Sequence, residues 1–122
     1  MSGHSPYERV AGFSRAVVAG DRVHVAGTSP IPSDGTPPPD GAYDQAALCL
    51  RIIGEALERA GSGLEHVVRT NIYVTDPAHW DEVARAHGAV FGDIRPASTM
   101  VVVAALLDPR WKVEIEAEAV IR

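Results

Sequence analysis

Glu114, Glu116 and Glu118 alternate with Val113, Ile115, Ala117 and Ala119 near the C-terminus. In an extended strand successive side chains point to opposite faces, so this spacing puts three carboxylates on one side and four apolar residues on the other. Such carboxylates could in principle hold a hard cation. A cation site, however, also draws on loop carbonyls and convergent ligands, which one strand does not supply, so the array reads as a solvated face and no metal is expected. His24, His66, His79 and His87 lack the paired spacing of a helical metal site. His87 falls on an apolar helical stripe and reads as a packed side chain. Ser98 has no nearby His-Asp arrangement to make it a nucleophile. The single cysteine, Cys49, sits in an apolar helical pattern and also reads as packed; it leaves no internal disulfide and fits a reducing compartment. Trp111 reads as a core or interface aromatic, with shielding of a cleft as the alternative.

The elements that must position these groups fit in one domain, residues 1–122, which at this length buries roughly two thirds of the surface of the unfolded chain. A hydrophobic share of 46% and a charged share of 22% are those of an ordinary globular protein. The net charge of -5 and the absence of a basic patch argue against a nucleic-acid partner. No run of about 18 apolar residues calls for a membrane, and the opening MSGHSPYERV has no apolar core of an export signal. A cytoplasmic location is the expectation.

Residues 1–12 are polar and are expected to form a loop or a short edge strand. Residues 15–18 and 22–26 are β-prone and separated by Ala19-Gly20-Asp21, a hairpin. Residues 28–41 carry five prolines and must be a loop, either a solvated linker or the cover of a site. Ala46, Leu50, Ile53, Leu57 and Ala60 recur at helical spacing over 44–60, with Gly61 placed to end the helix. Residues 67–74 alternate as a strand. Asp76-Pro77 opens a second helix, with Trp80, Val83, Ala84, His87 and Phe91 as its buried stripe. Residues 99–106 are apolar on both faces, and with the alternating 112–120 they read as two strands joined by a short turn at 107–110. The order β-β-α-β-α-β-β gives an α+β fold, a mixed sheet with two helices packed on one face. The uncovered side of the apolar strand is then expected to meet another copy of the protein.

SRAVVAGDRVHVAGTSPI, the helix ending in LERAGSGLEHVVRTNIYVTD and the closing VEIEAEAV together resemble the Rid (reactive intermediate deaminase, YjgF-like) family over residues 12–122. The resemblance implies a chorismate-mutase-like fold, a homotrimer with small-molecule pockets in the clefts between subunits, and hydrolysis of enamines and imines without a cofactor. Carried over residue by residue, it makes Glu114 the catalytic group that positions water and Gly27 the backbone that approaches the ligand. An arginine that clamps the substrate carboxylate in active members is replaced by Ser98, which carries no charge. The family's tyrosine near the first strand becomes Phe13, and a small residue or cysteine becomes Met100. The pocket therefore reads as one that has lost its anion anchor, as in arginine-lacking subgroups, with Arg15, Arg95 and Arg110 as candidates to replace it. Two readings follow: a hydrolase or deaminase acting on an enamine or imine metabolite, for which the standard 2-imino acid activity is not expected, or a non-catalytic trimer that binds a metabolite or partner in the same clefts.

Overall fold

The alternating VEIEAEAV forms the centre of the sheet. In the computed structural model, which describes residue 3 and residues 5–122, it is strand β5 (Val113–Val120), whose Val113, Ile115, Ala117 and Ala119 are buried. Before it come helix α1 (Tyr7–Ala11), the hairpin β1 (Ala16–Ala19) and β2 (Arg22–Thr28), helix α2 (Ala42–Arg59), β3 (Val67–Val74), helix α3 (Trp80–Phe91) and β4 (Ala97–Val102). The five-stranded sheet has the order β1-β2-β5-β3-β4, antiparallel except for the parallel pair β3 and β4. The expected α+β architecture is therefore present, with α2 and α3 packed on one face. Among the described residues no helix is long and apolar enough to cross a membrane.

The core lies between that face and the helices. Ala46, Cys49, Leu50, Ile53 and Leu57 of α2 meet Val23, Val25, Ile72, Val74, Val113 and Ile115 of the strands, all buried. Gly61 takes a φ of +89°, the left-handed turn that ends a helix at little cost for glycine. Asp76 accepts a hydrogen bond from the Ala78 N–H at 2.8 Å, capping the short 3-10 turn Pro77–His79 that leads into α3.

Several local expectations are corrected. Tyr7–Ala11 is helical, not loop or strand, while residues 1, 2 and 4 lie outside the described residues. Trp80 is 60% exposed, at the first residue of α3 and off its buried side; Val83, Ala86 and Phe91 make the buried stripe. The apolar run after Pro96 is a strand only as far as Val102 and lies on the sheet edge, with most of its side chains exposed in one chain. It does not pair with β5. Because β4 runs parallel to β3, residues 103–112 must carry the chain past β3 before β5 can enter between β3 and β2, so the two strands cannot form a hairpin.

Gln45, fully buried on α2, holds that long connection in place. Its Nε2 donates to Pro39 O at 2.7 Å and Arg110 O at 2.9 Å, and its Oε1 accepts from the Lys112 N–H at 2.8 Å. The proline-rich loop and the connection thus meet over one amide. With Tyr7 and buried Trp111, whose rings sit edge to face at 6.2 Å, they enclose a cavity of about 220 Å³.

Candidate functional site

The register of β2 on β5 shifts between Val25 and Thr28, a bulge that re-aims the backbone at Ala26 and Gly27. Its consequence is a close approach: a Cβ built on Gly27 would collide with Glu114 Oε1. Arg15, 5% exposed, braces the bulge from the other side, its Nη2 donating to Ala26 O and to Gly27 O, each at 2.9 Å. The Arg15 Nε is buried without an acceptor among the described residues. Glu8 on α1 is buried nearby, and its two carboxylate oxygens accept the Gly3 N–H at 2.9 and 3.0 Å.

These groups set the charge state of Glu114. Burial pushes its carboxyl above the ordinary range, the Arg15 guanidinium pulls it back, Glu116 raises it further, and a hydrogen bond from the Ser29 hydroxyl lowers it. Desolvation wins, as it does for carboxyls held away from water. Burial likewise lowers the pKa of Arg15, opposed by the negative charges of Glu8 and Glu114. The result is a half-buried carboxyl of raised pKa held against a glycine backbone, within the field of a buried guanidinium.

Glu116 and Glu118 are also half-buried and partnered, not freely solvated as the spacing alone suggested. Asn71 Nδ2 and the Tyr73 hydroxyl donate to Glu116 Oε1 at 3.0 and 2.7 Å, and that bond raises the Tyr73 pKa. Glu118 lies 3.7 Å from His24 Nδ1. Cross-strand pairing explains this: Asn71 stands opposite Glu116 and His24 opposite Glu118 on the open side of the sheet.

Ser98 lies on the opposite face. Tyr73 pairs with Glu114 on β5 and Thr70 pairs with Ser98 on β4, and Thr70 and Tyr73, three residues apart on β3, point to opposite sides. One chain therefore does not bring Ser98 and Glu114 to a common point. Ser98 sits on the helix side and shares a 2.8 Å hydrogen bond with Thr70, whose Oγ1 is 2.9 Å from His87 Nε2. Met100, also on that side, packs partly buried against the core. Phe13, 40% exposed, walls a separate cleft with Pro6, Glu8 and Arg9.

Two of the three arginines are engaged within the chain. Arg15 is spent on carbonyls, and exposed Arg110 is held by Asp108, with Nε to Oδ1 at 3.0 Å and Nη2 to Oδ2 at 2.7 Å. That pairing draws the Asp108 pKa down to about 2. Arg95 is exposed on the turn before β4 with a φ of +55°. Cys49 is fully buried, and desolvation pushes its thiol pKa up, which keeps it unreactive.

Sequence reasoning missed Thr70 and Gln45. Both carried a signal, since each is a polar side chain on an otherwise apolar stripe, Thr70 among Val68, Ile72 and Val74 and Gln45 beside Ala46 and Cys49. His87 was seen only as a packed residue, although a hydroxyl one strand away gives its ring a partner.

Residues 3–121 match the family described as endoribonuclease L-PSP. The chain is 39% identical over 115 residues to an uncharacterized protein of Streptomyces coelicolor, covering 94% of this chain and 86% of the relative. It is 34% identical over 110 residues to 2-iminobutanoate/2-iminopropanoate deaminase of Mus musculus, covering 88% and 80%. A crystal structure of a YjgF/YER057c/UK114 family member from Mycobacterium tuberculosis superposes with a TM-score of 0.90 at 45% identity, covering 99% of this chain and 97% of the other. The crystal structure of the YjgF gene product of E. coli gives a TM-score of 0.84 at 28% identity, covering 90% and 88%. With nearly its whole length matched, the chain belongs to the endoribonuclease L-PSP family, the YjgF or Rid family.

Proposed function

We propose that the protein hydrolyses a neutral enamine or imine, with Glu114 orienting and deprotonating water, in clefts that form when copies of the chain assemble. The observation that carries this reading is the contact of Gly27 with Glu114: a carboxyl of raised pKa is held against a bulged backbone on the open side of the sheet. A deaminase among its relatives lends the reaction class. Ser98, lying across the sheet from Glu114, requires a second copy if both are to touch one ligand, which fits a homotrimer with pockets between subunits. Its hydroxyl can donate one hydrogen bond to a substrate carboxylate but supplies no charge, and a cleft-bound anion without a counter-charge is costly.

The test is ammonia release from imines generated in place. Neutral imines come from an amine oxidase, and 2-imino acids from a pyridoxal-phosphate dehydratase acting on serine or threonine. Acceleration of the neutral set, lost in Glu114→Gln, is expected. Turnover of the imino acids equal to that of an arginine-bearing relative would show that Ser98 is not the residue facing the carboxylate. No acceleration of either set would favour a non-catalytic trimer that binds a metabolite in the same clefts.

A further inference from the structure

Three side chains from three elements stand in a line that the reading above does not use. Ser98 on β4 is exposed, Thr70 on β3 is fully buried, and His87 on α3 is half-buried. Thr70 Oγ1 donates to Ser98 Oγ at 2.8 Å and lies 2.9 Å from His87 Nε2, so transfer toward the ring requires the two hydroxyls to rotate until Ser98 donates to Thr70 and Thr70 to the imidazole. The imidazole is fixed by its tilted contact with Phe91, ring centroids 4.6 Å apart. A hydroxyl at each of the first two positions can accept one proton and pass on another. The chain therefore connects a surface oxygen to an internal base.

We infer that Ser98, Thr70 and His87 form a proton relay, in which His87 acts as a base, through the two hydroxyls, on a proton donor of the ligand seated at Ser98. This deepens the proposed function and rests on it for the identity of the ligand. Burial alone lowers the His87 pKa, with no charged side chain of α2, α3, β3 or β4 acting on the ring; Arg85, on the same helix, is turned to Asp81 at 3.1 Å and over the Tyr43 ring. The ring is thus neutral at pH 7 and able to accept a proton.

In hydrolysis of such a carboxylate-free imine, which enters the reaction protonated on nitrogen, the protons balance as follows. The oxygen of water bonds to the imine carbon, the π pair moves to nitrogen, and Glu114 takes a proton from the water, leaving a neutral carbinolamine. As the C–N bond breaks, Glu114 returns that proton to the nitrogen. The carbinolamine hydroxyl gives its proton to Ser98, Ser98 gives one to Thr70, and Thr70 gives one to His87 Nε2. The products are a carbonyl compound and ammonia, and His87 then releases its proton to solvent.

Two experiments test the relay. In the neutral-imine assay, Thr70→Val keeps the shape but breaks the path, and His87→Gln keeps a hydrogen-bonding partner for Thr70 but cannot titrate. Both should lower kcat by about 10²-fold, the lower end for general acid–base catalysis. Both should also remove the part of the fall in rate at low pH that protonation of His87 produces, leaving only the part that protonation of Glu114 produces. Full activity with an unchanged pH profile in His87→Gln would overturn the relay while leaving the imine hydrolase reading intact.

The second experiment needs no substrate. In Ser98→Cys the new thiol should react with iodoacetamide at pH 7 at least about tenfold faster than in Ser98→Cys with Thr70→Val, the effect of one pKa unit on the thiolate fraction. Buried Cys49 gives the background rate in the unmodified protein. Equal rates in the two backgrounds, or no alkylation in either, would overturn the relay even if no imine is hydrolysed.

Discussion

Gly27 and Glu114 touch so closely that residue 27 decides where the carboxylate sits: a Cβ there would collide with Glu114 Oε1, the far end of a flexible side chain. Gly27→Ala should therefore leave the fold intact and swing Glu114 away. Displacement of a reacting group by about 1 Å can cost about 10²-fold in rate. We expect a loss of that order in ammonia release from neutral imines, with a melting temperature close to that of the parent. A folded variant of full activity would mean that the position of Glu114 does not matter, and an unfolded one that the bulge cannot hold a Cβ.

Glu114 also leaves a mark on stability. Its folded pKa lies above the unfolded value because burial disfavours the charged form more than Arg15 and Ser29 favour it. A raised pKa contributes stability that is present below the unfolded value and is lost as pH rises through the folded one. Glu114→Gln, which cannot ionise, should gain stability relative to the parent as pH is raised from about 4 to 7. Thermal melts of both proteins across that window check the sign. A relative stability that falls with pH would show that attraction to Arg15 outweighs desolvation.

Gln45 tests how the connection before β5 is held. Its side chain makes three hydrogen bonds to the backbone of Pro39, Arg110 and Lys112 while buried. Gln45→Ala leaves those groups without partners and opens a cavity, so unfolding free energy should drop by about 1–3 kcal/mol, the range for orphaned buried polar groups. Urea titration gives the number. A change under about 0.5 kcal/mol, the scale of inconsequential surface substitutions, would mean that water replaces the amide.

Much of the fold was legible because it rests on periodicity. The alternation in 113–120 fixed a strand with a buried and an open side, and the spacing of Ala46, Leu50, Ile53 and Leu57 fixed the helix above it. Pairing partners were not legible, since nothing local in 97–102 says that it runs parallel to β3 or that β5 lies two places away. The same limit applied to the site. Glu114 and Gly27 could be named from a resemblance, but the placement of Ser98 on the other face depends on register, a long-range property. Arg15, Thr70 and His87 acquire their roles only once a bulge and two neighbouring strands bring them their partners.

The open edge of the sheet predicts assembly. β4 is an edge strand whose Val101 and Val102 are 43% and 53% exposed, and an exposed apolar edge is a surface that proteins cover or avoid. A cover supplied by other copies would also place the Ser98 of one chain within reach of the Glu114 of another, which a single chain cannot do. Light scattering should accordingly give three times the 13.0 kDa of one chain. Val101→Lys puts a charge on the open side of the edge, where an isolated chain tolerates it, so helix and strand content should persist while the mass falls toward one chain. Ammonia release should fall with it, since the cleft then loses one of its walls. A parent protein that is monomeric at micromolar concentration would remove the basis for a site between copies, and an active monomeric Val101→Lys would move the chemistry to one face of a single chain.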